Sequence, residues 1–318
     1  MEMFPSVLES IKDLNKRQID GVLELAQKLK HRQDTPFSFS NKTPIIATSF
    51  LENSTRTKHS FEVAIAKLGC TYVNFEAEKS SLKKGETLEQ TLLTLFGQGV
   101  ELCIIRTSVS NELTKFKENP PIKIINGGDG THQHPTQALL DLFTLFENDI
   151  SIEGKTICIA GDVIHSRVGH SLIDLLPMFG AKIILFGPKG FVPENLQSDS
   201  VTVTHERQEA LEKMDILYLL RAQKERHGKE LNIDFDNYHN EYGFDLKTIE
   251  SLNRKVPVMH PGPANIGIEI SKDLICSPYY LGHEQVRNSI YLRMSLIEAI
   301  LQNGAKNIGF KENDFFKN

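Results

Sequence analysis

Residues 44–57 read PIIATSFLENSTRT: an apolar run, a short polar break, then hydroxyls and an arginine. The run at 44–50 predicts a buried strand. Residues 57–69 follow with Phe61, Ile65 and Leu68 on one helical face, which predicts a helix. A strand feeding a helix through a polar turn is the repeating unit of a parallel α/β sheet. Working outward, residues 17–30 place Ile19, Val22, Leu23, Leu25, Ala26 and Leu29 near helical spacing. Short apolar runs at 71–75, 100–106 (VELCIIR) and 122–126 (IKIIN) predict further strands, with helical patterning at 86–97.

Residues 135–148 (PTQALLDLFTLFEN) predict a strong helix with Pro135 in its first turn. The alternation then restarts with strands at 155–161, 181–187, 201–205 and 215–221 and a helix near 168–179. A last helix, about 284–303, carries Val286, Ile290, Leu292, Met294, Ile297 and Ile300, apolar enough to pack back on an existing domain. The expected fold is α/β with two domains, each a mostly parallel sheet flanked by helices. Residues 1–134, with the C-terminal helix at about 286–318, form the first domain, and residues 135–285 form the second.

The bulk properties agree. A length of 318 residues fits two cores of roughly 150 residues each. A formal net charge of −5 disfavours a nucleic-acid partner, yet leaves room for a local cationic pocket. Cys70, Cys103, Cys158 and Cys276 form no C-x-x-C pair and stand in or beside apolar stretches, so reduced, buried thiols in a cytoplasmic protein are expected. No basic region precedes an apolar run at the N-terminus, and no stretch approaches the ~18 apolar residues of a membrane span.

Four segments of the first half offer chemistry. Ser54-Thr55-Arg56-Thr57 stands where a helix opens, and a first helical turn presents unpaired N–H groups to an anion. Taken alone, it is equally a Ser/Thr cap beside a solvated arginine. The segment from Gly127 to Gln137, GGDGTHQHPTQ, is expected between a strand and a helix. There its glycines allow a tight backbone, and His134 and Gln137 share one face. A neutral His134 donating from one ring nitrogen could polarise a carbonyl; alone, a capping histidine is the plainer reading. Arg106 closes an apolar strand and projects into the crevice at its carboxyl end, or simply marks where the sheet meets water. Residues 80–87 (SSLKKGET) make a polar loop with two lysines that could close on an anion, or stay solvated.

In the second half, Arg167 follows a strand and Arg221 ends one, with Gln223 close behind. Two guanidinium groups in one crevice suit a dicarboxylate. His260-Pro261-Gly262-Pro263 fits neither helix nor central strand and leaves carbonyls for a ligand amide, or is a plain rigid turn.

Taken in order, these segments resemble the catalytic chains of the aspartate transcarbamoylase family over roughly residues 5–305. The family's S-T-R-T stands at Ser54–Thr57, its K-K-G-E-T at Lys83–Thr87 and its G-D-G-x-x-Q-H-P-T-Q at Gly128–Gln137. Its H-S-R stands at His165–Arg167 and its R-x-Q-K-E-R at Arg221–Arg226. The resemblance implies that Ser54, Thr55, Arg56, Thr57 and Arg106 hold the phosphate of carbamoyl phosphate. It implies that Thr57, Arg106 and His134 contact the carbonyl oxygen, and that Gln137 and the backbone at Gly262 and Pro263 hold the amide. Arg167, Arg221 and Gln223 would hold the carboxylates of L-aspartate. Ser80 and Lys84 would reach a neighbouring subunit's site, which implies a homotrimer; Lys84 would also meet aspartate. One departure is Ile266, where many members carry arginine.

The implied reaction is direct acyl transfer, in which the amine attacks the carbamoyl carbon and His134, Thr57 and Arg106 stabilise the oxyanion. Arg56, Arg106 and Lys84 would neutralise the departing phosphate. No cofactor is expected, and no metal, since His132 and His134 lack a third matching ligand. The alternative is a transcarbamoylase for another amine such as ornithine, but the S-M-G loop and H-C-L-P motif of that family are missing. No G-x-x-x-x-G-K-[ST] or G-x-G-x-x-G cradle for a nucleotide is present, and no motif for a regulatory chain stands out.

Overall fold

The computed structural model describes residues 2–31, 43–52, 54–75, 85–222, 235 and 237–303. The chain divides into two units, Met1–Leu139 with Asn288–Asn318, and Leu140–Arg287.

The first unit runs β1 (Val7–Leu8), α1 (Lys16–His31), β2 (Ile45–Phe50), α2 (Thr55–Lys67), β3 (Thr71–Phe75), α3 (Leu88–Gly97), β4 (Leu102–Thr107), β5 (Lys123–Asp129) and into α4 (Pro135–Glu147). Its strands pair in parallel in the order β1-β5-β4-β2-β3. β2 and β4 are near-continuous apolar runs because helices cover both faces of such a sheet. α1 buries Ile19, Val22, Leu23, Ala26 and Leu29 of the stripe its spacing predicts and leaves Leu25 half-buried.

The second unit runs β6 (Thr156–Ala160), α5 (Arg167–Leu175), β7 (Lys182–Phe186), β8 (Val201–Thr204), α6 (Arg207–Lys213) and β9 (Ile216–Leu219). It continues through α7 (Tyr238–Tyr242), α8 (Leu246–Ser251), β10 (Val258–Met259), α9 (Lys272–Ile275) and into α10 (Gly282–Asn303). Its strands are also parallel, in the order β10-β9-β6-β7-β8. From Asn288 onward α10 belongs to the first unit, where Leu292, Ile297 and Ile300 are buried.

The two sheets share one topological device. In the first, the chain steps from β2 to β3 and then returns to place β4 on the other side of β2. In the second it steps from β6 through β7 to β8 and returns to place β9 beside β6. At such a reversal neighbouring connections leave in opposite directions, and a crevice opens beyond the carboxyl ends of the two strands. The switch points are therefore β2/β4 and β6/β9.

Two expectations need correction. Gly127, Gly128 and Asp129 are not in a turn but in β5, which runs to Asp129. Ile105 pairs with Asn126 and Thr107 with Asp129, so Gly127 and Gly128 together oppose the single residue Arg106. That is a β-bulge, and Gly128 takes φ +114°, where a side chain would be strained. Nor are all four thiols buried. Cys103 and Cys158 are, but Cys70 is half-buried and Cys276 is exposed, because it follows the short helix α9 at its solvent-facing end.

Candidate active site

The first switch point carries the residues expected to bind phosphate. Ser54 is the residue before α2 in extended backbone, yet its side chain caps no helical N–H. Its hydroxyl accepts instead from Arg106 Nη1 at 2.8 Å. The N–H groups of the first turn thus lack a side-chain cap from Ser54, the arrangement that favours an anion. The β5 bulge opposite Arg106 bends the ladder just where that side chain leaves β4. Arg106 Nε donates to Glu52 Oε2 at 3.1 Å, a carboxylate two residues before Ser54 to which motif reading gives no role. Thr55 and Arg56 are exposed on the first turn of α2, whereas Thr57 is buried.

Thr57 Oγ1 lies 3.4 Å from His134 Nε2, and Thr136 Oγ1 lies 3.4 Å from His134 Nδ1. Burial, with a smaller contribution from the positive charge of Arg293, drives the His134 imidazole down to a pKa of about 3. It is therefore neutral near pH 7, the form that can polarise a carbonyl without a charge of its own. Gln137, also buried, sits in the first turn of α4. Arg293 was not legible as a site neighbour: it is a lone cation in the apolar stripe of α10. Its guanidinium lies over the Phe61 ring, 4.9 Å from the centroid, and donates to Ser60 Oγ. Ser60 in turn donates to Thr57 O at 2.9 Å, so α10 braces the first turn of α2.

His132 does not join His134. It pairs with Asp129 at 2.9 Å, and Glu9 lies close enough for the three to approach one ion. Those carboxylates already serve other groups, however. Glu9 holds Lys117 at 2.8 Å and accepts from Thr114, and Asp129 accepts from the N–H groups of Asn111 and Gln133 and from Asn126 Nδ2.

The second switch point collects the arginines. Arg167 opens α5, behind Ser166, whose hydroxyl accepts from Gly169 N at 3.0 Å. Arg221 lies two residues beyond β9, with Nε 3.4 Å from Asn265 Oδ1. Both side chains are half-buried. Gly161, at the exit of β6, takes φ +120°, and a Cβ there would press on the Leu220 carbonyl at 2.7 Å, so the two strand exits approach closely. His260-Pro261-Gly262-Pro263 follows β10 directly, with Gly262 N donating to His260 Nδ1 at 2.8 Å and a cis Gly262–Pro263 bond. Ile266 is 60% exposed, so its side chain faces solvent. Gln223, Ser80 and Lys84 lie outside the described residues.

Two family models cover this architecture. Residues 7–147 match the carbamoyl-P binding domain of aspartate/ornithine carbamoyltransferases, and residues 153–300 match the Asp/Orn binding domain. The chain belongs to the aspartate/ornithine carbamoyltransferase family. It is 39% identical over 297 residues to the aspartate carbamoyltransferase catalytic subunit of Staphylococcus epidermidis, spanning 93% of this chain and 99% of that one. Among solved structures it resembles the catalytic subunit of M. jannaschii aspartate transcarbamoylase, with TM-score 0.81 and 29% identity over 94% of this chain and 98% of the other. It also resembles the Trypanosoma cruzi aspartate transcarbamoylase in complex with carbamoyl aspartate and phosphate, with TM-score 0.78 and 29% identity over 96% and 99%. Among the described residues no helix is long and apolar enough to cross a membrane.

Proposed function

We propose that this chain transfers the carbamoyl group of carbamoyl phosphate to the amine of L-aspartate, giving N-carbamoyl-L-aspartate and phosphate in the first committed step of pyrimidine synthesis. The observation that carries the reading is the sorting of charge between the two switch points. The first gathers Ser54, Arg56 and Arg106 around a helix N-terminus, chemistry for a phosphate. The second holds Arg167 and Arg221 at the exits of β6 and β9, chemistry for a dicarboxylate. Ornithine carries a cationic side chain, which two arginines would repel.

In this mechanism the neutral amine attacks the carbamoyl carbon, and the C–N bond forms as the carbonyl oxygen gains charge. Thr57, Arg106 and the neutral His134 donate to that oxyanion. The C–O bond to phosphate then breaks, and phosphate leaves toward Arg56 and Arg106, taking the amine proton. Gln137 and the carbonyls at Gly262 and Pro263 hold the carbamoyl amide. Ser80, Lys84 and Gln223 complete the assignment by motif, and with it a cytoplasmic homotrimer in which Ser80 and Lys84 serve a neighbouring copy.

The test is phosphate release from carbamoyl phosphate by the purified chain with L-aspartate, with L-ornithine and with no amine. Turnover with aspartate alone is the expected result. Turnover with ornithine would overturn the reading of the second unit.

A further inference from the structure

We propose that Glu269 is a positioning residue for Arg221: its buried carboxylate ties together the exits of β9 and β10 and, through Asn265, sets the plane of the guanidinium that meets a substrate carboxylate. The inference rests on the reading of Arg221 as an aspartate-binding group.

A sheet satisfies its backbone only as far as its ladder runs. β9 ends at Leu219 and its neighbour β10 at Met259, so the residues beyond them need other partners. Leu220 N still donates to Ala160 O and His260 N to Gln285 Oε1, and Glu269 supplies partners further out. Its Oε2 faces the N–H of Ala222 at 3.5 Å, beyond the end of β9. Its Oε1 accepts from the N–H of Asn265 at 2.5 Å and pairs with His260 Nε2 at 3.2 Å, both beyond the end of β10. Because His260 Nδ1 accepts from Gly262 N, the ring proton stands on Nε2 and is donated to Glu269. One carboxylate, 1% exposed, thus replaces a stretch of missing ladder between two adjacent strands.

The consequence reaches Arg221 through Asn265. With its backbone held by Glu269, Asn265 donates from Nδ2 to Ala222 O at 3.1 Å and accepts from Arg221 Nε at 3.4 Å. A contact at Nε fixes the plane of a guanidinium, and a fixed plane is what two-point recognition of a carboxylate requires. Glu269 is itself anchored, since its carbonyl accepts from Phe244 N at 3.1 Å and Phe244 lies in the core of the unit. Burying a carboxylate is unfavourable unless it is hydrogen-bonded, and an apolar residue of similar size would fill the same volume. The arrangement is explained by what the carboxylate holds rather than by packing.

The experiment compares the full-length protein with Glu269→Gln, Asn265→Ala and the double variant, measuring kcat, KM for aspartate and inhibition by inorganic phosphate. Each single variant is expected to raise the aspartate KM about tenfold, the scale of one lost hydrogen bond to a charged group. The double variant is expected to be little worse than either, because both act along one chain of contacts. Phosphate inhibition is expected to stay within about twofold, since phosphate is gripped in the other unit; a general loss of fold would weaken it too. An unchanged aspartate KM in Glu269→Gln, additive effects in the double variant, or an equal loss of phosphate inhibition would each overturn the proposal. Should Glu269→Gln not fold, Asn265→Ala decides alone by the same split. A wild-type protein with no aspartate-dependent phosphate release sinks the functional reading instead, a result separable from active wild type with unaltered variants.

Discussion

Arg106 is held by Glu52: the carboxylate Oε2 stands 3.1 Å from the guanidinium Nε, and the same guanidinium donates to Ser54. The arginine read as a phosphate ligand therefore has a carboxylate partner of its own, and an incoming phosphate competes with it. Both side chains keep some contact with solvent, so the pair contributes at most on the order of 1 kcal/mol. Glu52→Gln should strengthen inhibition by inorganic phosphate about fivefold. Weaker inhibition in that variant would show that Glu52 aims Arg106 rather than competing for it.

Arg56 stands at the opposite extreme. It is exposed on the first turn of α2, and little packing depends on it. Arg56→Ala should leave the melting temperature nearly unchanged while costing ~3–4 kcal/mol of transition-state stabilisation, or about 10²–10³ in kcat. Near-normal turnover would remove Arg56 from the site.

In the proposed reaction the guanidinium groups of Arg167 and Arg221 bind carboxylates through a planar fork, which lysine lacks. Arg221→Lys should keep the charge yet raise the KM for aspartate by at least about tenfold, with inhibition by phosphate unaltered. If lysine serves equally well, charge alone matters at this position and two-point recognition is excluded.

Much of this was legible because its signals are local. The runs at 44–50, 100–106 and 155–161 are apolar enough to be strands on sight, and Arg106, Arg167 and Arg221 each stand at a strand or helix boundary. Strands β1 and β10 were missed because two residues carry no periodicity. The bulge was missed because Gly127-Gly128 reads as a turn until Arg106 is known to lie across from it. Glu269 and Arg293 were missed for a related reason. Each is one charge in an apolar stretch, and one partner that reveals its role, Ala222 for Glu269 and Ser60 for Arg293, is far away along the chain.

Burial sets the order in which the four thiols react. Cys276 is exposed, whereas burial pushes the Cys103 and Cys158 thiols up to about 12 and the half-buried Cys70 up to about 11. A thiol-reactive chromophore at pH 8 should modify Cys276 quickly and Cys70 slowly, and the other two only after denaturation, because the thiolate is the reacting form. Mass spectrometry of the labelled peptides identifies the order, and early labelling of Cys103 or Cys158 would contradict it.

His134 couples the site to acid stability. Its pKa falls from an ordinary value near 6.5 to about 3 in the fold, first by burial and then by the charge of Arg293. Below about 6.5 the unfolded chain therefore binds a proton at this position that the folded chain does not. Stability from this group is intact above that pH and is lost progressively as the pH falls toward 3. One such group steepens the dependence by up to about 1.4 kcal/mol per pH unit. His134→Asn cannot titrate, so its denaturation midpoint should fall less steeply than the wild type's between pH 6 and about 4. The same depressed value places no His134 inflection in a kcat profile between about pH 5 and 8, where an ordinary histidine would show one. A wild-type inflection near 6.5 that His134→Asn abolishes would mean that the ring is protonated in the working enzyme, and the neutral-donor role assigned to it would have to be withdrawn.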